Sequence, residues 1–171
     1  TAGVGIHQVV YNLGTGTCSS ADTSYITVNP QPTINVNNAT ICVNDTTSLL
    51  ATGAGISGSY SWSPVTGLSC ANCANPFSYP ISTTVYAVTG TNSFGCSATV
   101  NSTVTVNPLP VVSAGSDLFL CDQPVPVTLN GSPIGGTWTG SPNVTSGGIF
   151  TPNGSEIANL VYTLSDPITG C

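Results

Sequence analysis

Apolar and polar residues alternate along most of this chain, in short stretches that end at turn-forming residues. The clearest are Ile6–Leu13, Ser59–Ser63, Thr83–Thr89 and Ala98–Val106, which are rich in Val, Thr and Tyr. A period of two is typical of β-strands with one buried face. No stretch keeps the 3.6-residue apolar period of a helix over several turns. The pattern therefore predicts an all-β fold.

Shorter segments of the same kind, separated by turns rich in Gly, Asn, Ser and Pro, predict the other strands. These are Tyr25–Val28, Thr33–Val36, Ile41–Val43, Thr47–Ala51, Val125–Leu129, Gly136–Thr139, Gly148–Phe150 and Asn159–Leu164. Strands at this spacing favour β-sandwiches of the immunoglobulin or polycystic-kidney-disease (PKD) type.

A strand ending in Asn-Pro-x-Pro occurs twice, at Ile26–Pro32 and at Val104–Pro110. When the two are superimposed, Cys18 falls on Cys96, and Val10-Tyr11 falls near Val85-Tyr86. Such self-similarity is the signature of tandem modules. Reading onward from each mark, four further features repeat: Cys42 with Cys121, Trp62 with Trp138, Val85-Tyr86 with Val161-Tyr162, and Cys96 with Cys171.

The repeat predicts three immunoglobulin-like modules in series. Residues 1–30 are the C-terminal half of one module, residues 31–108 a complete module, and residues 109–171 a module truncated before its last strand. Ile6–Leu13 matches Ile157–Leu164 better than it matches the middle module, which indicates two alternating module types. The Pro-rich links between modules are expected to be short and semi-rigid.

The chain has no Lys or Arg and a formal net charge of −6. Nucleic-acid binding and attraction to anionic membranes lose their electrostatic term and are excluded as functions. No segment has the length of a membrane span, so direct membrane insertion of this segment is not expected. Seven Cys and no Met, in a Ser/Thr/Asn-rich background, indicate an oxidised, exported protein.

Cys70-Ala71-Asn72-Cys73 has the spacing of a redox motif or of half a zinc site. Zinc would need two further ligands, and a thioredoxin-type motif would need a helix start in an α/β fold. We therefore expect a disulfide that closes a long loop, and no metal or other cofactor. His7 is interpreted as a surface residue, and no acid–base pair or triad supports an enzyme.

Trp62 and Trp138 occupy equivalent strands, where a sandwich places a large ring across its core. The alternative is a sugar-stacking platform in a carbohydrate-binding module. The remaining cysteines leave two schemes open. One scheme pairs Cys42 with Cys96 and Cys121 with Cys171 inside modules and leaves Cys18 without a partner. The other pairs Cys42 with Cys171, because Cys42 and Cys96 are expected at opposite ends of a sandwich, beyond disulfide reach.

Several motifs together resemble the repeats of very large surface adhesins of Bacteroidetes, including gliding adhesins. They are Ile41-Cys42, Tyr60–Pro64, Gly67–Pro76, Thr84–Tyr86, Phe94–Cys96 and Val104–Pro108, with Ala114–Asp117 and Gly135–Gly140 in the last module. The resemblance implies export by the type IX system and a role in stalks or filaments, with no binding residue to carry over.

The sequence thus predicts a structural repeat segment of a long extracellular adhesin or filament at the cell surface, a disulfide-stapled stalk for adhesion, motility or capture. Its expected partners are neighbouring modules of the same chain. In an alternative, identical chains assemble laterally into a filament, because an almost uncharged β surface offers little repulsion between copies.

Overall fold

The structure, a computed structural model, describes residues 2–14, 19–155 and 157–171. The chain divides into two compact units, Thr1–Val106 and Asn107–Cys171. All helical or strand elements among the described residues are β-strands. The predicted all-β fold class is confirmed.

The first unit begins with an isolated hairpin. Strand β1 (Gly5–Leu13) pairs antiparallel with β2 (Ser20–Val28), from Gly5 opposite Val28 to Leu13 opposite Ser20. The two strands form a two-stranded sheet of their own. β2 is longer than the predicted Tyr25–Val28, because every residue from Ser20 onward finds a partner on β1.

An immunoglobulin-like sandwich follows. Its strands are β3 (Asn35–Val36), β4 (Ala39–Cys42), β5 (Thr47–Ser48), β6 (Ala51–Thr52), β7 (Ser59–Ser63), β8 (Phe77–Ser78), β9 (Thr84–Thr91) and β10 (Ser97–Asn107). One sheet has the order β4-β10-β9-β7, and the pairs β3–β6 and β5–β8 supply the remaining strands. The core contains Leu49, Trp62, Tyr86, Val88 and Val104, all nearly or completely buried. Alternating inward side chains on β9 and β10 supply Tyr86, Val88 and Val104 of this core.

The chain enters and leaves this sandwich at opposite ends. At the β9–β10 turn, the Asn92 side chain donates to the Pro30 carbonyl at 2.9 Å. Farther along β10, the Ser102 hydroxyl donates to the Asn37 carbonyl at 2.7 Å, and the Thr103 amide donates to the Asn38 side chain at 2.8 Å. The incoming chain therefore runs beside β10 and in the same direction, and β10 leads out at Asn107.

The second unit has four short strands, β11 (Val127–Thr128), β12 (Thr137–Thr139), β13 (Ile149–Phe150) and β14 (Val161–Thr163). They form two two-stranded sheets, β11–β13 and β12–β14, in which Trp138 faces Tyr162 across the pair. Residues 109–126 form no strand, although Ser113 makes an isolated bridge with Ser132. Trp138, Phe150 and Tyr162 are the buried aromatic residues of this unit.

Candidate functional sites

Trp62 lies under the loop that the Cys70–Cys73 disulfide closes. The two cysteines are joined with their Cα atoms 6.0 Å apart. The Trp62 indole N–H donates to the Cys73 carbonyl at 2.8 Å, and the Trp62 amide donates to the Ala71 carbonyl at 2.8 Å. Since the indole is only 3% exposed, an unmet N–H there would carry the full cost of desolvation. The disulfide loop therefore satisfies the polar edge of the core tryptophan.

The same loop closes the sandwich on a second side. The Ala74 carbonyl accepts from the Ala51 amide at 2.7 Å, and the Pro76 carbonyl accepts from the Leu49 amide at 2.9 Å. The loop thus bonds both to Trp62 on β7 and to residues at and beside β6. A Cys-x-x-Cys bridge in this position shapes a structural element, with its sulfurs already bonded to each other.

The second unit builds an equivalent core around a tyrosine. The Tyr162 hydroxyl donates to the Pro133 carbonyl and accepts from the Gly136 amide at 2.8 Å. Its ring lies 5.0 Å from that of Trp138, tilted by 45°. A Cβ at Gly131 or Gly136 would collide with the Tyr162 ring, so both positions require glycine for close packing. In the first unit the Tyr86 hydroxyl donates to the Thr66 carbonyl at 3.0 Å.

Both tryptophans are enclosed by protein. Trp62 is 3% exposed and Trp138 is 5% exposed. A sugar-stacking platform needs an open ring face, and neither indole presents one. The burial of these rings supports a packing role for both residues.

The cysteines do not form the pairs predicted inside modules. Cys96 and Cys121 are free thiols, half-buried and exposed respectively, so neither Cys42–Cys96 nor Cys121–Cys171 is formed. Cys42 and Cys171 are each disulfide-bonded, and their partners stay a prediction. Cys18 lies outside the described residues.

The path of the chain explains why Cys42 and Cys96 do not meet. Cys96 precedes β10 and its thiol contacts the Asn29 carbonyl, at the end where the chain enters. Asn38 already lies beside Thr103, and β4 carries Cys42 farther in the same direction. At about 3.3 Å per residue, the stretch from Cys96 to Thr103 alone spans roughly 20 Å. A disulfide requires Cα atoms within about 7 Å.

Two apolar surfaces of the described chain are open. On the hairpin, Val9, Tyr11, Leu13 and Ile26 are between 46% and 69% exposed. In the second unit, a cleft of about 820 Å³ is lined by the 114–122 segment and by apolar residues that include Leu129, Trp138, Phe150 and Leu160. Sequence reasoning placed strands in both regions and identified neither surface, since the exposure of an apolar strand depends on what packs against it.

Titratable side chains are scattered through the described parts of the chain. No group of three or more His, Cys, Asp or Glu residues there could hold a metal ion. The His7 ring is hydrogen-bonded to the Gly3 carbonyl through Nε2 at 2.6 Å. The Asp166 carboxylate accepts from the amides of Ile168 and Thr169 and so stabilises its own turn. Residues 2–14, 19–155 and 157–171 contain no helix that could span a membrane.

Asn92 is a further organising residue that the sequence pattern did not indicate. Its side-chain oxygen accepts from the amides of Phe94 and Cys96 at 3.0 Å each, while its nitrogen donates to Pro30. It therefore closes the β9–β10 turn and ties that turn to the incoming link. An Asn before a glycine-containing turn, here Asn92 before Gly95, is the local signal that could have found it.

Comparisons with known proteins give likenesses to solved structures and none to a sequence family. No family model matches the chain, and no curated protein matches it. Among solved structures, it is similar to the extracellular cadherin domains 1–4 of protocadherin gamma B7, at 12% identity and a TM-score of 0.33. The match covers 86% of this chain and 48% of that one. The chain therefore spans about half the length of the structure it matches.

Proposed function

We propose that this chain is a structural segment of a long extracellular protein, in which immunoglobulin-like sandwiches are joined in series as a stalk or filament. The observation that carries the proposal is the path through the first unit. The chain enters beside Cys96, runs along β10 and leaves from its far end. Successive modules of this kind would lie end to end.

This path suits a load-bearing role. Tension between the entry and exit points acts along β4 and β10, which are neighbours in one sheet. Their hydrogen bonds are then loaded together in shear, whereas peeling a strand from one end would break them one at a time. The buried core of Trp62, Tyr86 and Val104 resists the same sliding motion.

The composition supports an exposed location. A chain without Lys or Arg offers no site to trypsin-like proteases, and the Cys70–Cys73 disulfide requires an oxidising compartment. The finer assignment, to the repeats of gliding-type surface adhesins of Bacteroidetes exported by the type IX system, rests on the motif resemblance. The stalk role makes neighbouring modules the expected partners, and it requires neither catalysis nor a cofactor.

Single-molecule stretching tests the mechanical role. The full chain is held by its termini in reducing buffer and extended. The sandwich of residues 31–106 should unfold in one discrete step that lengthens the chain by roughly 220 Å, at about 3.4 Å per extended residue less its folded length. Extension without a force peak would contradict the proposal.

A matched control attaches the handles at residues 30 and 95, which both lie at the entry end of the sandwich. This geometry peels the incoming chain and β4 away from β10 one hydrogen bond at a time. The unfolding force should therefore be clearly lower than with terminal handles. Equal forces in the two geometries would show that the end-to-end path carries no mechanical advantage.

A further inference from the structure

Cys42 and Cys171 are each disulfide-bonded, and the other cysteines limit what their partners can be. Four of the seven cysteines are already assigned, since Cys70 and Cys73 are bonded to each other and Cys96 and Cys121 are free thiols. Cys18, which lies outside the described residues, could serve only one of the two. Because both need a partner, the count within one chain leaves Cys42 and Cys171 to each other.

Cys42 lies at the end of the first unit from which the chain leaves. It is the last residue of β4, which neighbours β10 in the sheet. Asn38 lies beside Thr103, whose amide donates to the Asn38 side chain. The incoming chain runs in the same direction as β10. Four residues onward, Cys42 therefore comes level with Asn107, the last residue of β10.

The start of the second unit repeats the path seen at the start of the first sandwich. In that sandwich Asn35 pairs with Thr52, and in the second unit an isolated bridge joins Ser113 to Ser132. Asn35 and Ser113 each lie six residues after the Asn of an Asn-Pro-x-Pro mark. The segment that follows the mark is thus held at the same point in both units.

In this repeated frame, Cys171 belongs beside Asn107. Its counterpart Cys96 has its sulfur 3.9 Å from the carbonyl oxygen of Asn29. Asn29 is the Asn of the first Asn-Pro-x-Pro mark, and Asn107 is the Asn of the second. The two bonded cysteines therefore converge on Asn107, Cys42 along β4 and Cys171 through the repeat.

We propose that Cys42 and Cys171 form one disulfide that closes the chain across the Asn107–Pro110 link. We call this bond the junction disulfide. It forms by thiol–disulfide exchange with a small disulfide such as oxidised glutathione. The thiolate of one cysteine displaces glutathione from a mixed disulfide on the other. Glutathione disulfide is thereby reduced to two thiols while the two protein thiols are oxidised.

The junction disulfide changes which bonds carry tension, a consequence that rests on the proposed stalk role. Between Cys42 and Cys171, tension passes through the sulfur–sulfur bond, so residues 43–170 cannot lengthen the chain. After reduction, tension returns to β4 and β10, whose hydrogen bonds are then loaded in shear. The oxidised segment is therefore much less extensible than the reduced one.

A peptide map of the unreduced wild-type chain tests the pairing itself. Free thiols are first alkylated so that they cannot exchange. Tyr25 and Tyr60 bracket Cys42, and Tyr162 precedes Cys171, so chymotrypsin places the two cysteines on different peptides. Mass spectrometry should find these peptides joined, and the joined mass should disappear on reduction. A bond from either cysteine to Cys18 or to a second chain would overturn the proposal.

Single variants check the same pairing through the partner that each one releases. In urea and without reductant, Cys42→Ser should expose a new thiol at Cys171 to maleimide, and Cys171→Ser should expose one at Cys42. The matched control is Cys121→Ser, which removes an exposed free thiol and should release no other. If Cys42→Ser leaves Cys171 unlabelled, the two residues are not partners.

Stretching the full chain by its termini, with and without reductant, measures the mechanical consequence. The sandwich step of roughly 220 Å should be absent without reductant and should return when reductant is added. Cys42→Ser should show the step in both buffers, and Cys121→Ser only with reductant. A wild-type chain that shows the step without reductant overturns the junction disulfide. Extension without a force peak in reducing buffer instead contradicts the load-bearing role and leaves the result of the peptide map unaffected.

Discussion

The indole N–H of Trp62 and the carbonyl of Cys73 are hydrogen-bonded at 2.8 Å, which joins the core of the first unit to its disulfide loop. The bond links a residue on β7 to the loop that is closed by the disulfide between Cys70 and Cys73, which are three residues apart in sequence. The bridge therefore acts on stability through the backbone that it holds against Trp62.

Replacing both Cys70 and Cys73 by Ser should destabilise the first unit by about 2 kcal/mol, because the loop becomes freer in the unfolded chain and Trp62 loses a fixed acceptor. Urea unfolding followed by circular dichroism measures this change. The control is Cys121→Ser, an exposed free thiol, which should stay within about 0.5 kcal/mol of the parent. A double variant as stable as the control would show that the loop keeps its position without the bridge.

Tyr162→Phe should destabilise the second unit more than Tyr86→Phe destabilises the first. The Tyr162 hydroxyl makes two hydrogen bonds, to Pro133 and from Gly136, whereas one is seen for Tyr86, to Thr66. We expect a loss of about 2–3 kcal/mol for Tyr162 and about 1–2 kcal/mol for Tyr86, since each removal takes a hydrogen-bond partner from part-buried backbone groups. Thermal unfolding of the two variants beside Tyr25→Phe, whose ring is 65% exposed, gives the comparison. The reverse order would contradict the assigned bonds.

Much of the fold could be predicted because the longest strands can be identified from the alternation of apolar and polar residues within each strand alone. β7 occupies the predicted Ser59–Ser63, and β9 and β10 differ from prediction by one or two residues at each end. Their alternation determines which side chains enter the core, so Tyr86, Val88 and Val104 were assignable from sequence.

Other elements depend on partners that are distant in sequence. The predicted strand Thr47–Ala51 is split into β5 and β6, because the Leu50 amide donates to the Asn37 side chain at 2.7 Å and the Leu49 amide to Pro76. β8 was not predicted, since its ladder depends on β5. Likewise, the cysteine schemes stayed open because the distance between Cys42 and Cys96 follows from the path of the chain beside β10.

Asn92 offers a test of the coupling between the β9–β10 turn and the incoming link. Asn92→Ala removes two turn bonds and the bond to Pro30, and should cost about 1–2 kcal/mol. Asn92→Asp keeps the acceptor for Phe94 and Cys96 and loses only the donor to Pro30. It should therefore retain most of the stability. Hydrogen exchange at the Cys96 amide distinguishes the two variants. The exchange rate should be fast in Asn92→Ala and slow in Asn92→Asp. Equal exchange rates would mean that the turn does not depend on this side chain.

The free thiols can be identified by chemical labelling and ranked by their rates of reaction. Under native conditions a maleimide should modify Cys121, which is exposed, faster than Cys96, which is half-buried against Asn29. Cys42, Cys70, Cys73 and Cys171 should react only after reduction. Chymotryptic peptides separated without reduction should contain Cys70 joined to Cys73 and no peptide joining Cys42 to Cys96. The same map identifies the partners of Cys42 and Cys171. Recovery of a Cys42–Cys96 peptide would contradict the structure.

Protease specificity gives the most direct check on the proposed exposure of this chain. Trypsin cleaves after Lys or Arg, and the sequence contains neither, so the chain should stay intact with trypsin even when reduced and unfolded in urea. Chymotrypsin should cleave the same unfolded sample at the tyrosines, phenylalanines and tryptophans. In the folded chain it should cut first at exposed rings such as Tyr11 and Phe119, which are 69% and 96% exposed, and later at Tyr86, which is 0% exposed. If Tyr86 were cut as fast as Phe119, the sandwich core would not protect its strands from proteolysis.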